Sequence, residues 1–197
     1  RCWHPFRRKM TELKPRQLEI MQKLTVMLEK KGPVKVTTAL LAKECEITEA
    51  AIYRHFPSKR KIYEGLVDFC ERNIFALISK INKESISPLE KIQKILKMLI
   101  IFCEKNPGMS KLLTREAFSE NEAILDERIV QIFSKIELHI KQNFQKYEQE
   151  TKKKLALSSS SSANLLLCLV EGSIQQFVRS GFTEDASEKF GPQIELL

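Results

Sequence analysis

Apolar residues recur at intervals of three and four along most of the chain, which is the periodicity of amphipathic α-helices. The pattern predicts helices over residues 15–31, 39–44, 49–54, 59–82, 88–105, 110–118, 119–153, 163–180 and 185–197. No segment shows the strict alternation of apolar and polar residues that indicates a half-buried strand. The sequence therefore predicts an all-α fold of about nine helices.

Residues with helix-capping side chains mark the boundaries between these segments. Four predicted helices follow a hydroxyl side chain that can accept a hydrogen bond from a free backbone N–H: Thr37, Thr48, Ser58 and Ser87. Ser119 and Glu122 have the spacing of a capping box and predict the start of another helix. The five serines at 158–162 interrupt the pattern, and they predict either a flexible link or the first turn of a helix.

Two short helices, 39–44 and 49–54, follow a longer one and are separated by a tight break at 45–47. This arrangement is typical of a helix-turn-helix unit, in which the second helix enters the major groove of DNA. The side chains expected to pack the pair together are Leu40, Leu41, Cys45, Ile47, Ala51 and Ile52. Ala50 and Ala51 keep the second helix slim, which suits a groove about 12 Å wide.

Several polar side chains of this unit are expected to face DNA. Thr38 and Lys59 lie at helix N-termini, where free N–H groups and the helix dipole favour phosphate. Tyr53 either contacts DNA or closes the small core, whereas we expect Phe56 to close that core. The predicted DNA-binding residues are Thr37, Thr38, Thr48, Glu49, Ala50, Tyr53, Arg54, His55 and Lys59.

The charge distribution agrees with a polyanionic partner for the first third of the chain. Residues 1–61 contain 15 Lys/Arg and 6 Asp/Glu, whereas the rest contains 18 and 19, so the first part carries +9 and the rest −1 of the net charge of +8. A basic module in front of a neutral body is typical of proteins that bind nucleic acid, although a solvated basic surface gives the same numbers.

The segment VTTALLAKECEITEAAIYRHFPSKRKIYEGLV, residues 36–67, resembles the DNA-binding domain of the TetR family at nearly every position of that family's pattern. The resemblance implies an all-α homodimer that binds a near-palindromic DNA site. Helices two and three would read the DNA, and helices eight and nine would form a four-helix bundle with the partner. We expect a tail or upstream segment over 1–14, the helix-turn-helix domain over 15–60, and a regulatory and dimerisation domain over 61–197.

Two later segments, EKNPGMSKLLTREA at 104–117 and EGSIQQFVRSGF at 171–182, resemble a nucleoid-occlusion branch of this family. Members of that branch bind scattered chromosomal sites and, while on DNA, antagonise the tubulin-like division GTPase FtsZ. The resemblance places the FtsZ-binding surface along helices four and five. The residues of this chain that fall there are Phe69, Met98, Ile101, Lys105 and Asn106.

The helix over 88–105 carries one apolar stripe at helical spacing, formed by Ile92, Ile95, Leu96, Leu99, Ile100 and Cys103. Met98 and Ile101 lie off this stripe and give the helix a second apolar face. That face is expected to pack against neighbouring helices, to line a ligand cavity or to bind a partner, and the sequence leaves these three alternatives open.

A second apolar stripe runs along the helix predicted over 163–180. We interpret it as the dimer interface, with Gly172 allowing close approach of helices; a core helix of one protomer is the alternative. The predicted interface residues are Leu166, Val170, Gly172, Ile174 and Phe177.

Other classes of site have little support in the sequence. The five cysteines are scattered without a CxxC pair and the three histidines lack neighbouring ligands, so neither a disulfide framework nor a metal site is expected. We find no nucleophile–base pairing and no glycine-rich phosphate loop, and we expect neither an enzyme nor a cofactor.

Apolar runs are far shorter than the ~20 residues that span a bilayer. The expected location is the cytoplasm, on the nucleoid. Two functions stay open: a DNA-bound inhibitor of division, or a repressor that a small molecule releases.

Overall fold

The computed structural model describes residues 14–30, 36–117 and 123–195. Within these ranges the chain forms helices and no strands, which confirms the all-α prediction. The helices are α1 Pro15–Leu28, α2 Thr38–Glu44, α3 Glu49–His55, α4 Lys59–Asn82, α5 Pro88–Lys105, α6 Pro107–Leu113, α7 Ala123–Thr151, α8 Ser159–Arg179 and α9 Ala186–Ile194. We call α1–α3 the head and α4–α9 the body.

Helices α4 and α5 have the bounds that the sequence predicts, and capping explains where they begin. The Ser58 hydroxyl accepts a hydrogen bond from the backbone N–H of Lys61 at 3.3 Å. At the start of α5, the Ser87 hydroxyl accepts from the Glu90 N–H, and the Glu90 carboxylate accepts from the Ser87 N–H at 2.9 Å. These bonds satisfy N–H groups that the first turn of a helix leaves without partners.

One predicted helix start is wrong, and a second helix begins in the serine run, as one of the two alternatives for that run predicted. Helix α6 begins at Pro107 rather than at 110, because proline needs no N–H partner in the first turn. Helix α8 begins at Ser159 rather than at 163, because the Ser158 hydroxyl accepts from the Ser161 N–H at 3.0 Å. The five serines thus contribute the first turn of α8, while the predicted Ser119–Glu122 capping box lies outside the described residues.

The head packs directly on the body through α1. Ile20, Met21 and Leu24 on α1 are fully buried, and α1 contacts α2, α3, α4 and α6. The closest approach is at Gly108 of α6, where an added Cβ would lie 2.3 Å from the Thr25 carbonyl oxygen. Close by, the buried Lys111 ammonium of α6 donates a hydrogen bond to the Lys30 carbonyl oxygen at 2.6 Å.

In the body, α5 lies at the centre and contacts α4, α6, α7, α8 and α9. The predicted stripe of α5, from Ile92 to Cys103, is buried throughout, as expected. Helices α7 and α8 pack against each other. Arg128 on α7 forms ion pairs with Asp68 at 2.7 Å and Glu71 at 2.8 Å, so α7 is also tied to α4, the helix that leaves the head.

Candidate nucleic-acid interface

Threonine caps fix the first turns of α2 and α3. The Thr37 hydroxyl accepts a hydrogen bond from the Leu40 N–H at 3.1 Å, and the Thr48 hydroxyl accepts from the Ala51 N–H at 3.2 Å. The turn between the two helices is tight because Glu46 adopts a left-handed conformation, with φ of 55°. Sequence reasoning missed this role of Glu46, since glycine or asparagine is the usual residue in that conformation.

Helix α3, the second helix of the predicted helix-turn-helix unit, has one buried face and one exposed face. Ile52 is fully buried on the inner side, and Phe56 just after the helix covers the same small core. Thr48, Glu49, Ala50, Tyr53 and Arg54 are all exposed. The predicted outward-facing residues therefore share one accessible surface, and Phe56 occupies the core position expected for it.

Tyr53 lies on the outer surface rather than in the core of the head. The residue is 46% exposed, and its hydroxyl lies 3.4 Å from the Thr38 hydroxyl, so the start of α2 and the middle of α3 meet there. Leu40 was expected to pack between the two helices, but the structure leaves it 37% exposed. This expectation is wrong because Leu41 and Ala42, the next two residues of α2, take the inward positions.

Two cationic side chains, Arg54 and Lys59, lie at the C-terminal end of α3. Lys59 is the first residue of α4, and its ammonium group lies 5.6 Å from the centre of the Tyr63 ring. Arg54 and His55 form the last turn of α3. The His55 carbonyl accepts a hydrogen bond from the Gln17 side chain at 3.1 Å, a contact that sequence reasoning missed because the residues are 38 positions apart.

The predicted partner surface on α4 and α5 is only partly accessible. Ile101 is 40% exposed, Lys105 is exposed and Met98 is half-buried on α5. Phe69 and Asn106 are buried, which corrects the prediction for both. Phe69 lies on the core face of α4, while the Asn106 amide donates to the Phe102 carbonyl at 2.7 Å and so caps the end of α5.

The predicted dimer residues also need correction. Leu166, Val170, Ile174 and Phe177 are buried inside the protomer, because this face of α8 packs on α5, α6, α7 and α9. Only Gly172 is exposed, with no atom within 4 Å of an added Cβ. The outer face of α8 instead presents Leu165, 54% exposed, and Leu169, 41% exposed.

The described ranges contain no group of three or more histidine, cysteine, aspartate or glutamate residues that could hold a metal ion. In the same ranges, every helix is too short or too polar to cross a bilayer.

Comparison with known proteins agrees with this geometry. The model of bacterial regulatory proteins of the tetR family matches residues 20–66, and a tetracyclin repressor-like C-terminal domain of the SlmA-like type matches residues 87–197. The regulator FadR from Bacillus halodurans has a similar structure, with a TM-score of 0.77 at 13% identity, over 94% of this chain and 95% of that one. The fold and its helix-turn-helix surface define a DNA-binding regulator of the TetR class.

Within this class the sequence matches one branch closely. It is 43% identical to the nucleoid occlusion factor SlmA of Shewanella woodyi over 90% of each chain. It is 41% identical to SlmA of Aliivibrio fischeri over 95% of this chain and 96% of that relative. The chain belongs to the SlmA family of nucleoid occlusion factors.

Proposed function

We propose that two copies of this chain read a near-palindromic DNA site through α3, and that the DNA-bound dimer restrains FtsZ assembly over the nucleoid. The observation that carries the DNA-binding part is the single exposed surface of Thr48, Glu49, Ala50, Tyr53 and Arg54 on a helix capped at its start. Family membership supports the occlusion role, because the matching relatives are nucleoid occlusion factors.

On DNA, the residues of this surface have different tasks. The exposed side chains of α3 reach base edges in the major groove. The N-termini of α2 and α4, with Thr37, Thr38 and Lys59, lie beside it and bind backbone phosphates. Phosphate contacts fix the position of the head on the duplex, and base contacts provide the selectivity.

The dimer forms through the outer face of α8. Leu165 and Leu169 are separated by one helical turn, and Gly172 follows on the same side with open space above it. Two leucines beside a glycine allow a second helix to approach closely and to bury apolar surface on both sides. This proposal replaces the buried stripe of α8 with the face that a second copy can reach.

The FtsZ contact lies on the exposed side of α5. Ile101 and the half-buried Met98 supply apolar area, and Lys97 and Lys105 flank them with positive charge. A surface of this kind fits a partner segment that combines apolar and acidic side chains. Phe69 and Asn106 are buried within the protomer and make no contact of their own with the partner.

Sequencing of the chromosomal fragments that the protein retains tests the proposal. Many sites with one shared palindrome, scattered around the chromosome, are expected for an occlusion factor. A single site beside the protein's own gene would instead mean a local repressor, and fragments without a shared motif would contradict sequence-specific reading by α3.

A repressor released by a small molecule is the second candidate function. A cleft of ≈ 400 Å³ lies between α6, α7 and α8, with Ile129 and Phe133 in its wall and Arg115 and Glu171 at its edge. Burial raises the pKa of the Glu171 carboxyl above its ordinary value. A ligand there would raise the melting temperature and lower DNA affinity, and replacement of Ile129 by Trp would abolish both effects. Small amphipathic acids and amines can be screened for this effect. If no compound shows it, the result would contradict a role of the cleft in ligand-controlled release from DNA.

A further inference from the structure

One side chain, Gln17 in the first turn of α1, bonds to two separate helices. Its amide oxygen accepts a hydrogen bond from the Lys14 N–H at 3.1 Å and so caps α1. Its amide nitrogen donates to the His55 carbonyl at 3.1 Å, and His55 is the last residue of α3. The start of the head's longest helix is thereby joined to the end of the recognition helix.

The end of α3 needs such support. A helix of 7 residues is marginal by itself, and its last carbonyl groups have no partner within the helix. After His55 the backbone turns extended at Phe56, so the next residues do not continue the helix. The start of α3 is held by the Thr48 cap and its middle by the buried Ile52. At the remaining end, Gln17 binds the last carbonyl group of α3 and the buried Phe56 follows directly after it.

Helix α1, which carries Gln17, is anchored in the core of the head. Three residues beyond Gln17, α1 enters the core with Ile20 and Met21 fully buried. Because α1 is anchored in the core, a hydrogen bond from Gln17 to His55 fixes the direction in which α3 points. Small errors in that direction weaken base contacts, which demand exact geometry, far more than the attraction between lysines and phosphates.

We propose that Gln17 is a positioning residue for the recognition helix, and that its bond to the His55 carbonyl contributes to selectivity between DNA sequences. The inference rests on the proposed function, because it assumes that α3 reads DNA. Gln17 itself is half-buried at the C-terminal end of α3 and is not one of the exposed residues that form the reading surface.

The two bonds of Gln17 can be separated by substitution. Gln17→Glu keeps an oxygen that can cap α1, but it loses the donor and places negative charge beside the carbonyl end of α3. Gln17→Lys keeps a donor for the His55 carbonyl and loses the cap. Gln22, further along α1, makes no side-chain hydrogen bond among the described residues. Gln22→Glu and Gln22→Lys therefore control for the change in charge.

The measurement is the ratio of affinities for the cognate palindrome and for a scrambled duplex, at one salt concentration and a temperature at which circular dichroism shows every variant folded. Relative to Gln22→Glu, we expect Gln17→Glu to lower this ratio about three- to tenfold, the worth of one hydrogen bond. The affinity ratio of Gln17→Lys should lie within about twofold of the ratio of Gln22→Lys. Its melting temperature should nevertheless be lower, because the cap of α1 is lost.

Two results would overturn the inference: a ratio unchanged in Gln17→Glu, or equal losses in Gln17→Glu and Gln17→Lys that follow their melting temperatures. Failure of the proposed function looks different, because the unaltered protein itself would then bind the palindrome and the scrambled duplex equally.

Discussion

At the scale of single residues, we expect Tyr53 and Lys59 to have separable tasks on DNA. Tyr53 lies on the exposed face of α3, where its ring and hydroxyl can contact bases or the adjoining backbone. Tyr53→Ala should weaken binding to the specific palindrome by roughly 1–3 kcal/mol and lower selectivity. Lys59→Ala should weaken binding to every sequence alike. It should also make the slope of log affinity against log salt concentration shallower by about one released counterion. Filter binding over a range of salt concentrations measures both effects, and equal responses of the two variants would contradict this division.

His139 makes the stability of the body depend on pH. Its ring lies 5.9 Å from the Phe75 ring and 3.5 Å from the Asn82 amide, and burial lowers its pKa below the ordinary value. In the window between the lowered folded pKa and the unfolded value of about 6.5, the unfolded chain binds more protons. The free energy of unfolding should therefore be highest above this window and fall as the pH drops through it.

Urea unfolding of the intact protein and of His139→Gln between pH 5 and 8 measures this contribution. The variant should lose part of the pH dependence that the intact protein shows below about pH 6.5. Parallel curves for the two proteins would mean that His139 contributes nothing to it.

The sequence predicts residue roles best where one local rule decides them. Thr37, Thr48, Ser58 and Ser87 cap helices as expected, because a cap depends only on residues three positions away. Gln17 could not be assigned in this way, since its second partner lies 38 positions along the chain. The position of Gln17 at the third residue of α1 indicates a cap, but no local pattern indicates a bond to α3.

At the scale of elements, the contact between α1 and α6 joins head and body and tolerates no added carbon at Gly108. A Cβ there would lie 2.3 Å from the Thr25 carbonyl oxygen, and backbone cannot move as a flexible side chain can. Gly108→Ala should therefore lower the free energy of unfolding by about 1–3 kcal/mol or more. Gly191→Ala in α9 is the control, because nothing lies within 4 Å of its added Cβ.

Chemical denaturation of both variants gives the comparison. The control should be neutral or gain up to about 1 kcal/mol, since alanine favours helix over glycine. Equal stability of Gly108→Ala and Gly191→Ala would show that α1 and α6 are less closely packed than the structure indicates.

The sequence predicts that a helix forms better than it predicts what covers each face of that helix. The apolar stripe of α8 is correct as a pattern, but Leu166, Val170, Ile174 and Phe177 pack inside the protomer. Periodicity shows that an apolar face of a helix is buried. It does not show whether that face packs against the same chain or against a second copy. The same limit applies to α4 and α5, where Phe69 and Asn106 are covered by their own protomer while Ile101 is exposed.

At the scale of the whole molecule, the proposed dimer depends on the outer face of α8. Leu169→Asp would place a charge in the middle of that interface and should weaken self-association at least tenfold. Leu157→Asp is the control, because Leu157 is 51% exposed but lies in the link before α8. Sedimentation equilibrium measures the dissociation constants. A Leu169→Asp protein that remains as dimeric as its control would move the interface to another face.

The fold class and the function class were accessible from sequence because one segment, residues 36–67, combines capping, packing and charge in a pattern that resembles the TetR family. The proposed partner surface was accessible only in part, since the exposure of its residues depends on how α4 and α5 pack. Met98, Ile101 and Lys105 keep their predicted place on the α5 surface, and Ile101→Glu tests it without altering the head.

Co-sedimentation of the protein with assembling FtsZ, with and without a duplex that carries its palindrome, tests the central claim most directly. The account predicts that FtsZ retains the protein more strongly when the specific duplex is present than with a scrambled one. Ile101→Glu should lose this retention while binding DNA as well as the unaltered protein does. Retention that is absent, or that is indifferent to the duplex, would contradict the claim that this chain acts on FtsZ from its chromosomal sites.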